Sequence, residues 1–221
     1  MNTFKRRIFL TSFALPAAVT IAGTRGLAAS SAHGSHFAEE AGDSAMILQD
    51  EMRRLWEEHI VYTRNYIISF VADLPDQQAV AERLLENQVH IGSAISPYYG
   101  EEAGTQLAEL LKVHILGAAD LLAAVKSGDQ VAIDEASAAW YDNSDDIAVF
   151  LNGANPDNWP LADLQAMMKM HLDQTVAEAG ARFAGDHAAD IAAYDEIHTH
   201  ILAMADALTA GIVAQFPDKF A

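Results

Sequence analysis

Between residues 44 and 72 apolar side chains return every three or four positions: Leu48, Met52, Leu55, Tyr62, Tyr66 and Phe70 share one line, with His59 in its middle. That spacing is one face of an α-helix. The pattern recurs down the chain, cut by breakers at Asp73-Leu74-Pro75, Ser96-Pro97 with Gly100, Ser127-Gly128, Gly153 to Pro156, Gly185 and Pro217. Between them it predicts helices over 44–72, 77–95, 101–126, 130–152, 160–183 and 186–215. Lys126 before Gly128 is a usual helix ending, and Pro160 suits a first turn. No segment alternates apolar and polar residues between turn signals. The expected fold is therefore all-α, a six-helix antiparallel bundle formed by a single domain over 44–221.

The two halves of this pattern resemble each other. Trp56-Glu57-Glu58-His59 has a counterpart in Trp140-Tyr141-Asp142-Asn143, and His114-Ile115-Leu116 in His200-Ile201-Leu202. Two tandem three-helix repeats, about 44–127 and 129–216, with pseudo-two-fold symmetry are the expectation.

Residues 1–32 change the picture at the amino end. Lys5-Arg6-Arg7-Ile8-Phe9-Leu10, an apolar run to Ile21 and then small residues read as a signal peptide of the twin-arginine type, used for proteins exported already folded. Pro16, Thr20 and Gly23 interrupt the run, which is short for a bilayer crossing of ~20 residues. Residues 33–43, polar and glycine-containing, are expected to form a flexible lead, and the protein is expected in the periplasm or otherwise exported. There is no cysteine, which excludes disulfides, thiolate metal sites and cysteine nucleophiles. A formal charge of −18 argues against nucleic acid and, once the signal is removed, against an anionic membrane surface. It leaves a metal ion, a small ligand or a second copy of the chain, as a homodimer, as partners.

Several motifs carry a resemblance. Leu55-Trp56-Glu57-Glu58-His59, Pro97-Tyr98-Tyr99-Gly100-Glu101-Glu102, Trp140-Tyr141, Asn155-Pro156 and Asp190-Ile191-Ala192-Ala193-Tyr194-Asp195 look like those of a family of small bacterial helical-bundle proteins to which no activity is assigned. The resemblance covers about 55–220. It implies a helical bundle and similarity at the positions of His59, His114 and His171, but not of His90 and His198. The glycosyltransferase label attached to some members implies a nucleotide-binding α/β architecture, which this chain cannot build.

The candidate chemistry lies on the inner faces. His59 has equivalents in His114, in line with Leu107, Leu111 and Leu121; in His171, in line with Leu164, Met168 and Thr175; and in His200, in line with Ile197 and Met204. Imidazoles pointing inward from four helices suit a transition metal, copper or iron, with the thioether of Met168 and the carboxylate of Asp146 as further ligands. A di-iron centre is disfavoured, because the paired Glu-x-x-His motif is missing. There is no nucleophile elbow and no phosphate-cradling loop, so no catalytic residue is assigned. The expectation is a binding protein. The alternative is a structural or small-ligand bundle in which the histidines complete a polar seam and lie far apart.

Overall fold

The computed structural model describes the backbone of residues 32–221, with side chains from Ser44 onward. The export signal expected over 1–32 lies, but for Ala32, outside the described residues. Six helices follow in order: α1 (Ala32–Val71), α2 (Gln77–Tyr99), α3 (Glu101–Ser127), α4 (Gln130–Ala154), α5 (Leu161–Ala184) and α6 (His187–Gln215), then a 3-10 turn, Pro217–Lys219. The helices from α2 to α6 each pack against the next, as an antiparallel bundle. α1 is tied in by side chains. Asn87 Nδ2 on α2 donates to the Leu55 carbonyl at 3.0 Å, Arg53 pairs with Asp206 on α6, and Arg64 pairs with Glu178 on α5 and Asp190 on α6.

The helix ends have local causes. Asp129 caps α4 by accepting from the Val131 and Ala132 amides, and Asp186 caps α6 by accepting from Ala189. Gly128 and Gly185 close α3 and α5 at φ 72° and 73°, a conformation that costs other residues a Cβ clash. Two boundaries differ from the spacing. α2 continues through Pro97 to Tyr99, because a proline near the carboxyl end removes one donor without breaking the remaining turn. α1 has its first residue at Ala32, ahead of the start at 44 that the spacing predicts.

The core falls into two clusters. The larger joins Met52, Leu55, Trp56, Ile60, Ile91, Leu111, Trp140, Ile147, Leu172, Ile201 and Ile212; the smaller joins Ile67, Leu122 and Ala179 with Tyr66, Phe70 and Phe183 around them. The inward line of α1 drifts accordingly. Leu48, Met52, Leu55 and His59 are buried, but further on Ile60 and Ile67 take the interior, and Tyr62, Tyr66 and Phe70 sit at its edge. A straight helix turns away from a strict four-three repeat, so a stripe read over seven turns cannot stay in one core.

Candidate functional site

A buried polar layer marks the level at which α1, α3 and α5 each contribute a histidine. His59, His114 and His171 are all fully buried, 2–4% exposed, and belong to the lines of Leu55, Leu111 and Met168 that drive these faces inward. The His59 and His171 rings stand 5.6 Å apart between centroids, and those of His114 and His171 stand 6.1 Å apart. His171 is thus the middle member. Tryptophans flank the other two. The Trp56 ring meets His59 edge-on at 5.8 Å and Trp140 lies against His114 at 5.3 Å.

Two amides orient the outer rings. Asn143 Nδ2 donates to the Leu110 carbonyl at 3.3 Å, which turns its Oδ1 towards His114 Nδ1 at 3.1 Å. His114 therefore carries its proton on Nδ1 and keeps the lone pair on Nε2. Gln88 Nε2 donates to the Leu84 carbonyl at 2.8 Å and to Asn87 Oδ1 at 3.1 Å, and faces His59 Nδ1 at 3.3 Å. That places the His59 proton on Nε2. Among the described residues His171 makes no ring hydrogen bond at all, and its Nδ1 is buried without a partner.

Burial pushes the His59 imidazole down to about 3, with His114 adding to the effect and Gln88 opposing it. It pushes His114 down to about 4 against the pull of Asn143. His171 lies well below the usual histidine range, first from burial and then from His59, His114 and His200 around it. All three are uncharged at neutral pH.

The other expected site residues fall elsewhere. His200 is half-buried and donates from Nε2 to the Met167 carbonyl at 2.9 Å, so that nitrogen is already engaged. Ile201 and Met204 hold the α6 interior in its place. Met168 is buried among Met52, Trp56, Leu164 and Met204 around a void of about 20 Å³, where it fills core space. Asp146 is exposed, because the inward line of α4 is Trp140, Ser144, Ile147 and Leu151. His90 is exposed, and His198 faces Glu57 at 2.9 Å. Among the described residues no three His, Asp or Glu side chains are already arranged as a metal-holding group. Among the described residues no carboxylate hydrogen-bonds to the three rings.

Sequence reasoning missed Asn87 and Gln88, both wholly buried on α2. Asn87 is in line with Arg83 and His90, a spacing that reads as a surface line. The available signal was the alternative line of Leu84, Gln88, Ile91 and Ile95, which carries the strongest apolar residues of the helix. Also missed was a buried ionic group further along α5 and α6. Arg64 bridges Glu178 at 2.5 Å and Asp190 at 2.7 Å, and Arg182 reaches Asp190 at 3.2 Å. Burial lifts the Glu178 carboxyl to about 7, with Arg64 opposing and Asp190 adding. No family model, curated protein or solved structure matches this chain.

Proposed function

We propose that this protein is a binding protein that holds one transition-metal ion, copper or iron, on the imidazoles of His59, His114 and His171. The observation that supports this best is the convergence of three buried, uncharged imidazoles from three helices, the middle one lacking any hydrogen bond. Buried polar atoms in native proteins are nearly always partnered. Here His171 Nδ1, Gln88 Oε1 and the Trp56 and Trp140 indole nitrogens are unpartnered in one contiguous layer. Imidazoles that share an ion at ~2.0–2.1 Å have ring centroids roughly 5–6 Å apart, close to the 5.6 and 6.1 Å spacings.

Binding needs two local adjustments. His171, held by nothing, turns towards its neighbours. The Gln88 amide rotates to present Oε1 to His59 Nδ1, so the His59 proton moves there and frees Nε2. His114 needs no change, since Asn143 already fixes its Nδ1–H in the manner of an outer-sphere partner. The layer is buried and uncharged, and no carboxylate is hydrogen-bonded to its rings, so a monovalent ion is cheaper to bury there than a divalent one. Cu(I), which accepts imidazole and low coordination number, fits that condition better than Fe(II). An exported, periplasmic setting reached through a twin-arginine signal belongs to the same reading, because folding before export lets the ion be loaded inside the cell. So does the origin of the bundle in two similar halves, supported by the burial of Trp56 and His59 on α1 and of their counterparts Trp140 and Asn143 on α4. The resemblance to a small bacterial helical-bundle family is compatible with it.

The test is titration of the purified chain with Cu(I) against a chromophoric Cu(I) chelator, and separately with Fe(II). One equivalent bound, abolished in His59→Ala, His114→Ala and His171→Ala but not in the exposed control His90→Ala, is the expected result. Failure to compete with the chelator and to retain Fe(II), or undiminished binding in the His59→Ala/His114→Ala/His171→Ala variant, overturns it.

A further inference from the structure

One helical turn beyond the histidine layer the bundle contains a cavity of about 210 Å³ between the two core clusters, reached by α1 to α5. Small residues make it. Thr63 on α1, Ala118 on α3, Ser137 on α4, and Thr175, Ala179 and Gly180 on α5 all border it, and the histidines of α1, α3 and α5 lie just above. Thr63 and Thr175 return their hydroxyls to the His59 and His171 carbonyls at 2.8 Å, so their methyl groups are left for the cavity wall. Leu84, Ile115, Leu121 and Ile133 complete an apolar lining. Val125 and Val176, both exposed, stand at its edge and mark its side towards solvent.

Natural interiors are close-packed, and a void many times larger than a water is a standing loss of stability. Small side chains on four helices facing one space are not the residue choice of a core optimised for packing. Apolar cavities of ~150 Å³ stay dry and accept benzene, so the present volume accommodates a ring with one or two substituents. The buried polar feature of the wall is an indole, since Tyr66 and Ser137, whose hydroxyl-bearing side chains also border it, are only half-buried. Trp140 is 3% exposed, borders the cavity, and its indole N–H has no acceptor.

We propose that this cavity is a binding site for a small, uncharged, mainly apolar molecule of substituted-benzene size, whose single hydrogen-bond acceptor engages Trp140. The site does not depend on the metal reading. A charged ligand is excluded by a lining that has no cation or carboxylate to pair with it. Because Trp140 touches both the cavity and His114, occupancy alters the surroundings of the one tryptophan in the wall.

The experiment is calorimetry and saturation-transfer NMR on the metal-free full chain, with toluene, 4-methylphenol and benzoate as probes. Saturable one-to-one binding of toluene or 4-methylphenol, tighter for 4-methylphenol and at least tenfold weaker for benzoate, is expected. Ser137→Leu, which fills the space from α4 and loses no hydrogen bond, is expected to abolish it. Should Ser137→Leu not fold, Ile133→Phe fills the same space from one turn away. No saturable binding of either neutral probe, benzoate binding as tightly as toluene, or wild-type affinity in the folded cavity-filled variant each overturns the proposal. Cu(I) and Fe(II) are absent throughout, so failure of the histidine site leaves these outcomes unchanged.

Discussion

At the residue scale the histidines and Glu178 respond to pH in opposite senses. His59 and His114 titrate near 3 and 4 in the folded protein, and His171 well below its usual range, against 6.5 when unfolded. The unfolded chain therefore binds more protons over that interval. Stability conferred by the neutral rings is complete above pH 6.5 and is lost as pH falls below it. Glu178 is the reverse: its carboxyl stays protonated to about 7 in the fold against 4.5 unfolded, so its contribution declines as pH rises between those values. Where the windows overlap, three groups act against one. A net two protons gives a rise on the order of 2–3 kcal/mol per pH unit between about 4.5 and 6.5. Metal-free protein unfolded by urea across a pH series is expected to follow that rise and to flatten near 7. Glu178→Gln is expected to steepen the rise, since it removes the opposing proton. An unaltered slope in that variant means Glu178 ionises normally.

At the element scale two glycines of similar appearance in the sequence have opposite meanings. Gly92 on α2 faces α3 so closely that an added Cβ would collide with the Gly104 carbonyl oxygen and come within 2.9 Å of Ala108 Cβ. Neither neighbour is the flexible end of a side chain, so the two helices must part. Gly92→Ala is expected to destabilise by about 1–3 kcal/mol through overpacking. Gly180 in α5 has no atom within 4 Å of the same position. Gly180→Ala is expected to stabilise by roughly 0.5–1 kcal/mol, because alanine loses less backbone entropy in a helix. Thermal or urea unfolding of the two variants reads both signs. The α2–α3 contact matters beyond stability, since it seats Gln88 against α1 and His114 opposite α4. The loop after α4 works similarly: Asn155, 1% exposed, donates to the Gly211 carbonyl at 2.9 Å and to Tyr99 Oη at 3.3 Å, joining three helix ends.

At the scale of the whole molecule the formal charge of −18 is a net self-repulsion that salt screens. Raising NaCl from low to physiological concentration is expected to raise Tm, a shift that calorimetry reads directly and that a net loss of surface ion pairs would reverse. Much of the architecture was legible without coordinates. Apolar recurrence and breakers such as Gly128 and Gly185 predict six helices, because helix periodicity and capping are local properties of a few adjacent residues. The inward placement of His59, His114 and His171 was legible for the same reason, since each lies within a short apolar line on its own helix. What periodicity could not decide was position across helices. α6 is apolar on nearly every side, so no single line marked Ile197, Ile201, Leu208 and Ile212 as its core and left His200 at the margin. Asp146 shared a line with Asn143 but stands exposed, because a helix rotation of a few tens of degrees, set by its neighbours, separates inside from outside. By itself the sequence determined that there are six helices, where the glycine-closed ones stop and that His59, His114 and His171 turn inward. Only the tertiary structure decided that three of four histidines share a layer, which amides hold their protons and that a cavity lies beneath. Those depend on the depth and rotation at which separate helices meet, which no single helix encodes.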